Sequence, residues 1–69
     1  KKLLGTIISA NIAILGFAYG VDKGLQELIE YKHLEKGLEA VIRGRALDLN
    51  KQVMRIGYIE GLEASRASS

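Results

Sequence analysis

Hydrophobic and polar positions divide the chain into an apolar head and a charged tail. The 19 residues from Leu3 to Val21 carry no charge, and every acidic residue lies at Asp22 or beyond. As a helix these residues would measure about 29 Å, close to the roughly 30 Å hydrocarbon core of a bilayer. The pattern therefore predicts an N-terminal transmembrane helix over residues 1–21.

Two other interpretations of the apolar head remain open. Two lysines, an apolar core and the small residues around Ala18-Tyr19-Gly20 are also typical of a cleavable signal peptide. A buried core helix in a bundle is the other alternative. In a membrane helix Asn11 should face another helix, because lipid offers its amide no partner.

The tail, residues 22–63, has a helical pattern without proline. One apolar patch comprises Leu25, Leu28 and Ile29. A longer run continues in steps of three and four, which approaches a heptad seam. The run consists of Leu38, Ile42, Ala46, Leu49, Val53 and Ile56.

The patch and the run lie on different helical faces, so the tail should break, bend or serve two partners near residues 31–34. Gly37 and Gly44 are plausible flex points, and Gly44 is a place where a helix could end. Residues 64–69 are small and polar, and they predict a flexible C-terminus. The predicted fold is all-α: one transmembrane helix followed by an amphipathic, partly coiled-coil-like tail.

Small side chains form a stripe along one face of the apolar head, at steps of three and four. Glycine weakens a helix by about 1 kcal/mol relative to alanine, so this spacing favours close helix–helix packing. Gly57 and Gly61 repeat the four-residue step in the tail, as a weaker signal. The predicted packing residues of the head are Gly5, Ser9, Ala13, Gly16, Gly20 and Gly24.

The run Ala13-Ile14-Leu15-Gly16-Phe17-Ala18-Tyr19-Gly20 resembles the membrane segment of subunit e of mitochondrial ATP synthase. The resemblance implies a single-pass protein of the mitochondrial inner membrane with its tail in the intermembrane space. It also implies an accessory subunit of a proton-transporting complex. Such a subunit packs its glycine face on a neighbouring subunit's helix and supports dimerisation of the synthase.

Composition and charge narrow the chemistry further. The net charge of +2 comes from Lys1 and Lys2, because residues 22–69 balance eight bases against eight acids. Without a basic stripe we expect no nucleic-acid partner. With no cysteine, one histidine and no catalytic motif, we expect no metal, no cofactor, no small-molecule substrate and no enzymatic activity.

These observations predict a non-catalytic accessory or structural subunit of a multi-subunit membrane complex. Its expected partners are other membrane subunits, bound through the glycine face, and the lipid bilayer. Two alternatives stay open: a self-assembling filament or pilin-like membrane subunit, and a soluble helical-bundle interaction module.

Overall fold

The computed structural model describes the backbone of residues 2–68 and the side chains of residues 5–67. Within that range the chain is helical and contains no strand, which confirms the all-α prediction. The helices are α1 (Lys2–Val21), α2 (Lys23–Leu28), α3 (Tyr31–Val41) and α4 (Arg45–Ser68). Residues 64–68, expected to form a flexible end, belong to α4.

Local hydrogen bonds fix the corner between α1 and α2. The Asp22 carboxylate caps α2 by accepting a hydrogen bond from the Leu25 amide at 3.1 Å. The Gln26 side-chain amide donates to the carbonyl oxygens of Tyr19 and Gly20, at 2.9 and 3.0 Å. The last turn of α1 therefore has partners for carbonyls that a helix end leaves unpaired.

The tail is divided at two places. Ile29 and Glu30 adopt extended backbone conformations between α2 and α3, slightly before the predicted break at residues 31–34. Gly44 separates α3 from α4 with a φ of +70°, a conformation that glycine adopts without strain. The structure thus confirms the helix boundary predicted at Gly44, whereas Gly37, the other predicted flex point, lies within α3.

Helices α1 and α4 lie side by side and run in the same direction. Gly16 lies against Met54 and Gly20 against Tyr58, so positions along both helices increase together. A parallel pair needs a connection that returns along its length, and residues 22–44, with α2 and α3, provide it. The Cα atoms extend 40 × 21 × 13 Å. Because packed helices are about 8–10 Å apart, the thinnest dimension accommodates only two layers.

The core lies on one side of the α1–α4 pair, where α3 covers it. Ile12 of α1, Leu38 of α3 and Met54 of α4 are its buried members, and Met54 is fully enclosed. Leu34 and Ile42 pack around them. The apolar positions of α3 therefore serve to cover one side of the helix pair.

The predicted membrane location needs correction. Within the described part of the chain, no helix combines the length and the apolarity needed to cross a membrane. The expectation of a transmembrane helix over residues 1–21, and of a single-pass protein of the mitochondrial inner membrane, is therefore wrong. Helix α1 packs instead against α4 of the same chain, with Gly16 and Gly20 in the contact.

Candidate interaction surface

Four glycines bring the backbones of α1 and α4 into direct contact. A methyl group added at Gly16 would press into the Met54 carbonyl and lie 3.1 Å from the Tyr58 nitrogen. One added at Gly20 would lie 3.0 Å from the Cα of Gly61, and one at Gly61 would lie 3.0 Å from the Cα of Gly20. These separations leave no room for a side chain.

The contact is reciprocal. Gly16 and Gly20 of α1 face backbone carbonyls of α4, whereas Gly57 and Gly61 of α4 face backbone carbonyls of α1. In such close approach, glycine Cα–H groups point at carbonyl oxygens of the opposite helix, a weak but repeated attraction. The two four-residue glycine motifs of this chain are therefore partners of each other.

A polar contact continues this interface toward the start of α1. The Ser9 hydroxyl donates a hydrogen bond of 2.9 Å to the side-chain oxygen of Asn50, which is only 5% exposed. The Asn50 amide in turn donates to the Ala46 carbonyl at 2.8 Å. Asn11, which we expected to face a helix, is exposed instead. In the sequence, nothing marked Asn50 except its position between the predicted packing residues Leu49 and Val53.

The ends of the predicted small-residue stripe lie elsewhere. Nothing lies within 4 Å of a methyl group placed at Gly5. Gly24 is in the first turn of α2, where the Asp22 carboxylate would be 3.3 Å from an added methyl group. Ala13 belongs to the contact, because its carbonyl oxygen lies against Gly57. Among the described residues of the stripe, those from Ser9 to Gly20 lie directly against α4.

The six tail residues predicted to form one packing seam are distributed over α3, α4 and the connection between them, in different environments. Leu38 is buried and Ile42 packs beside it, whereas Leu49 and Ile56 are 59% and 58% exposed. Val53 reaches the edge of the core, and Ala46 contributes its carbonyl to Asn50. The turn before α4 separates the first two of these residues from the other four.

Three tyrosine rings pack against one another on the side of the α1–α4 pair that α3 covers. The ring centroids of Tyr31 and Tyr58 are 4.8 Å apart, and those of Tyr19 and Tyr58 are 5.4 Å apart. The Tyr19 hydroxyl donates a 2.5 Å hydrogen bond to the carbonyl oxygen of Ile29 and so ties the α2–α3 connection to α1. Burial raises the pKa of Tyr19, with smaller contributions from Tyr58 and Glu30.

An ion pair joins α3 to α4 at the surface. The Lys51 ammonium lies 2.8 Å from the Glu39 carboxylate. Their hydrogen bond lowers the pKa of Glu39 and raises that of Lys51. Both side chains keep much of their solvent exposure, so this pair contributes little to stability.

The side of the α1–α4 pair opposite α3 is apolar and uncovered. We call this surface the open apolar face. Ile14 is 65% exposed, and Ile7 and Phe17 lie on the same side of α1. Between the two helices runs an open groove of about 420 Å³, bordered by Ile14, Phe17 and Ile56. The members of the open apolar face are Ile7, Ile14, Phe17 and Val21 of α1 and Leu49, Val53 and Ile56 of α4.

Two charged side chains accompany the apolar residues of this face. Glu60 borders the groove, and Arg45 lies at the opposite end of α4, also exposed. Among the described residues, no group of three histidine or acidic side chains is placed to hold a metal ion. The surface is therefore suited to apolar contact with charged margins.

No protein-family model, curated protein sequence or solved structure matches this chain significantly. The resemblance to subunit e thus stays a prediction that depends on residues 13–20. In that family the glycine face packs on a neighbouring subunit, whereas here α4 of the same chain occupies the face around Gly16 and Gly20.

Proposed function

We propose that this chain is a non-catalytic structural module that associates with other protein surfaces through its open apolar face. The observation that carries the proposal is the exposure of large apolar side chains on one side of both long helices, among them Ile14, Leu49 and Ile56. Contiguous apolar surface of this kind is typical of protein–protein interaction sites.

The placement of the polar side chains supports a structural role. Ser9, Gln26 and Asn50 form hydrogen bonds that hold helices or helix ends together. Tyr19 does the same for the α2–α3 connection. These groups stabilise the fold, which leaves the apolar surface as the feature available for function.

Site-specific photo-crosslinking tests the proposal. A benzophenone amino acid replaces Phe17 in the open apolar face, and in a matched control it replaces Leu28, which is 83% exposed on α2. We expect light-dependent protein adducts from position 17 and few from position 28. If position 17 yields only the uncrosslinked chain in cells that produce it, the proposed function is wrong.

A further inference from the structure

The chain exposes more surface than a folded protein of its mass normally does. Its accessible area is 5240 Å², whereas a compact monomer of 7.5 kDa exposes about 4,250 Å². The excess of about 1,000 Å² is similar to the roughly 800 Å² that each partner buries in a stable interface. Association through the open apolar face would bring the exposed area into the ordinary range.

We infer that the occupant of this face is a second copy of the chain, stacked face to face about a two-fold axis perpendicular to the helices. The inference rests on the proposed function and names its partner. Such an axis places α4 antiparallel on α4 of the partner copy, and α1 antiparallel on α1. In a symmetric dimer the same patch must be complementary to itself.

The outer edge of α4 has this self-complementarity. Leu49 and Ile56 are equally distant from the point between Gln52 and Val53, and so are Arg45 and Glu60. At 3.6 residues per turn the four outer residues, Arg45, Leu49, Ile56 and Glu60, lie within an arc of about 60°. An antiparallel copy centred there sets Leu49 against Ile56 and Arg45 against Glu60.

The outer edge of α1 has a matching centre. Ile7 and Phe17 are equally distant from Ile12, and so are Ala10 and Ile14. These four residues lie within an arc of about 80°. An antiparallel copy centred at Ile12 therefore sets Ile7 against Phe17 and Ala10 against Ile14.

A single axis serves both helices only if the two centres lie at the same height. The centre on α4 is about 40 positions after Ile12. In the glycine contact, Gly16 lies against Met54, 38 positions later, and Ala13 lies against Gly57, 44 positions later. The offset of about 40 positions between the two centres lies between these two values, so both centres lie at about the same height along the helix pair. A parallel dimer would give Arg45 and Glu60 no such reciprocal pairing.

Native mass spectrometry and sedimentation of the purified chain provide the first test. We expect a species of twice the 7.5 kDa chain mass. Ile56→Asp should abolish it, because it buries a charge in the apolar contact. Leu28→Asp, at a residue that is 83% exposed and lies outside the face, should leave it intact. Circular dichroism should show that both variants remain helical.

Reversing the charge of Arg45 or Glu60, at the margins of the open apolar face, tests the antiparallel register. Arg45→Glu and Glu60→Arg each set like charges opposite one another twice in a dimer, and each should weaken self-association about tenfold. Mixing the two variants restores opposite charges at both places, so the mixed dimer should form preferentially. If the two single variants weaken the dimer but do not recover on mixing, the two-fold arrangement is wrong.

The experiments distinguish failure of the proposed dimer from failure of the proposed function of the open apolar face. A chain that is monomeric alone, yet forms adducts at position 17 only with a different protein, overturns the dimer and leaves the proposed function standing. Absence of both the dimer and the adducts overturns both proposals. A dimer unaffected by Ile56→Asp would show that self-association uses another surface.

Discussion

Alanine at Gly16 is the sharpest perturbation of the α1–α4 contact. The substitution adds one methyl group and leaves charge and helical periodicity unchanged. The obstructing atoms are the Met54 carbonyl and the Tyr58 nitrogen, which belong to the backbone of α4. Because a backbone in the middle of a helix cannot turn aside as a flexible side chain can, the two helices must separate or shift.

The size of the effect follows from two opposing terms. Alanine gains about 1 kcal/mol over glycine in helix propensity. Overpacking a close contact costs about 1–3 kcal/mol, and an unyielding backbone places Gly16→Ala at the upper end of that range. The net loss should be about 2 kcal/mol in the free energy of unfolding. For a domain of this size, that loss lowers the melting temperature by about 8–16 °C.

Gly37→Ala is the matched control. Gly37 lies inside α3, and nothing lies within 4 Å of a methyl group placed there. Only the propensity gain applies, so this variant should be up to about 1 kcal/mol more stable than the wild type. Thermal melts followed by circular dichroism, at one fixed protein concentration because association shifts the midpoint, would measure both changes.

The same change from glycine to alanine should lower the free energy of unfolding at position 16 and raise it at position 37. If Gly16→Ala proved as stable as Gly37→Ala, the close contact between α1 and α4 would not exist as described. A loss at both positions would instead show that alanine is unfavourable for a reason unrelated to the helix contact.

Three further predictions follow from individual polar contacts. Asn50→Ala should cost about 1–3 kcal/mol in chemical denaturation, because it leaves the partly buried Ser9 hydroxyl without its acceptor. Asn50→Asp should cost at least as much at neutral pH, because a carboxylate at this buried position cannot donate to the Ala46 carbonyl. Burial raises the pKa of Tyr19, so the contribution of Tyr19 to stability is complete below its unfolded pKa of about 10 and is lost as the pH rises through its higher folded pKa. Melting temperatures measured across that pH range should fall less for Tyr19→Phe than for the wild type. The hydrogen bond from Lys51 lowers the pKa of Glu39, so the contribution of this pair is present above the unfolded pKa of Glu39 and is lost as the pH falls through the folded value. Glu39→Gln should therefore destabilise the fold only slightly at neutral pH, and the difference from the wild type should shrink at high salt.

Local features of the sequence predict the helical class and several helix boundaries. The absence of proline and the steps of three and four in the apolar residues predict helices throughout. Gly44 marks a boundary because its positive φ suits glycine. The four-residue spacing around Gly16 and Gly20 also indicated which face of α1 carries small side chains. All of these features depend on residues near one another in the chain.

The partner of that small-residue face depends on how the helices are arranged in the folded chain. Periodicity places residues on a face, but it does not select the opposite helix, which depends on the return path through residues 22–44. That path sets Gly57 and Gly61 against α1 and pairs Asn50 with Ser9, whereas Asn11 turns outward. The lack of charge from residue 3 to residue 21 could not distinguish a membrane span from a helix packed within its own chain, because it does not show whether another helix of the chain covers the small-residue face.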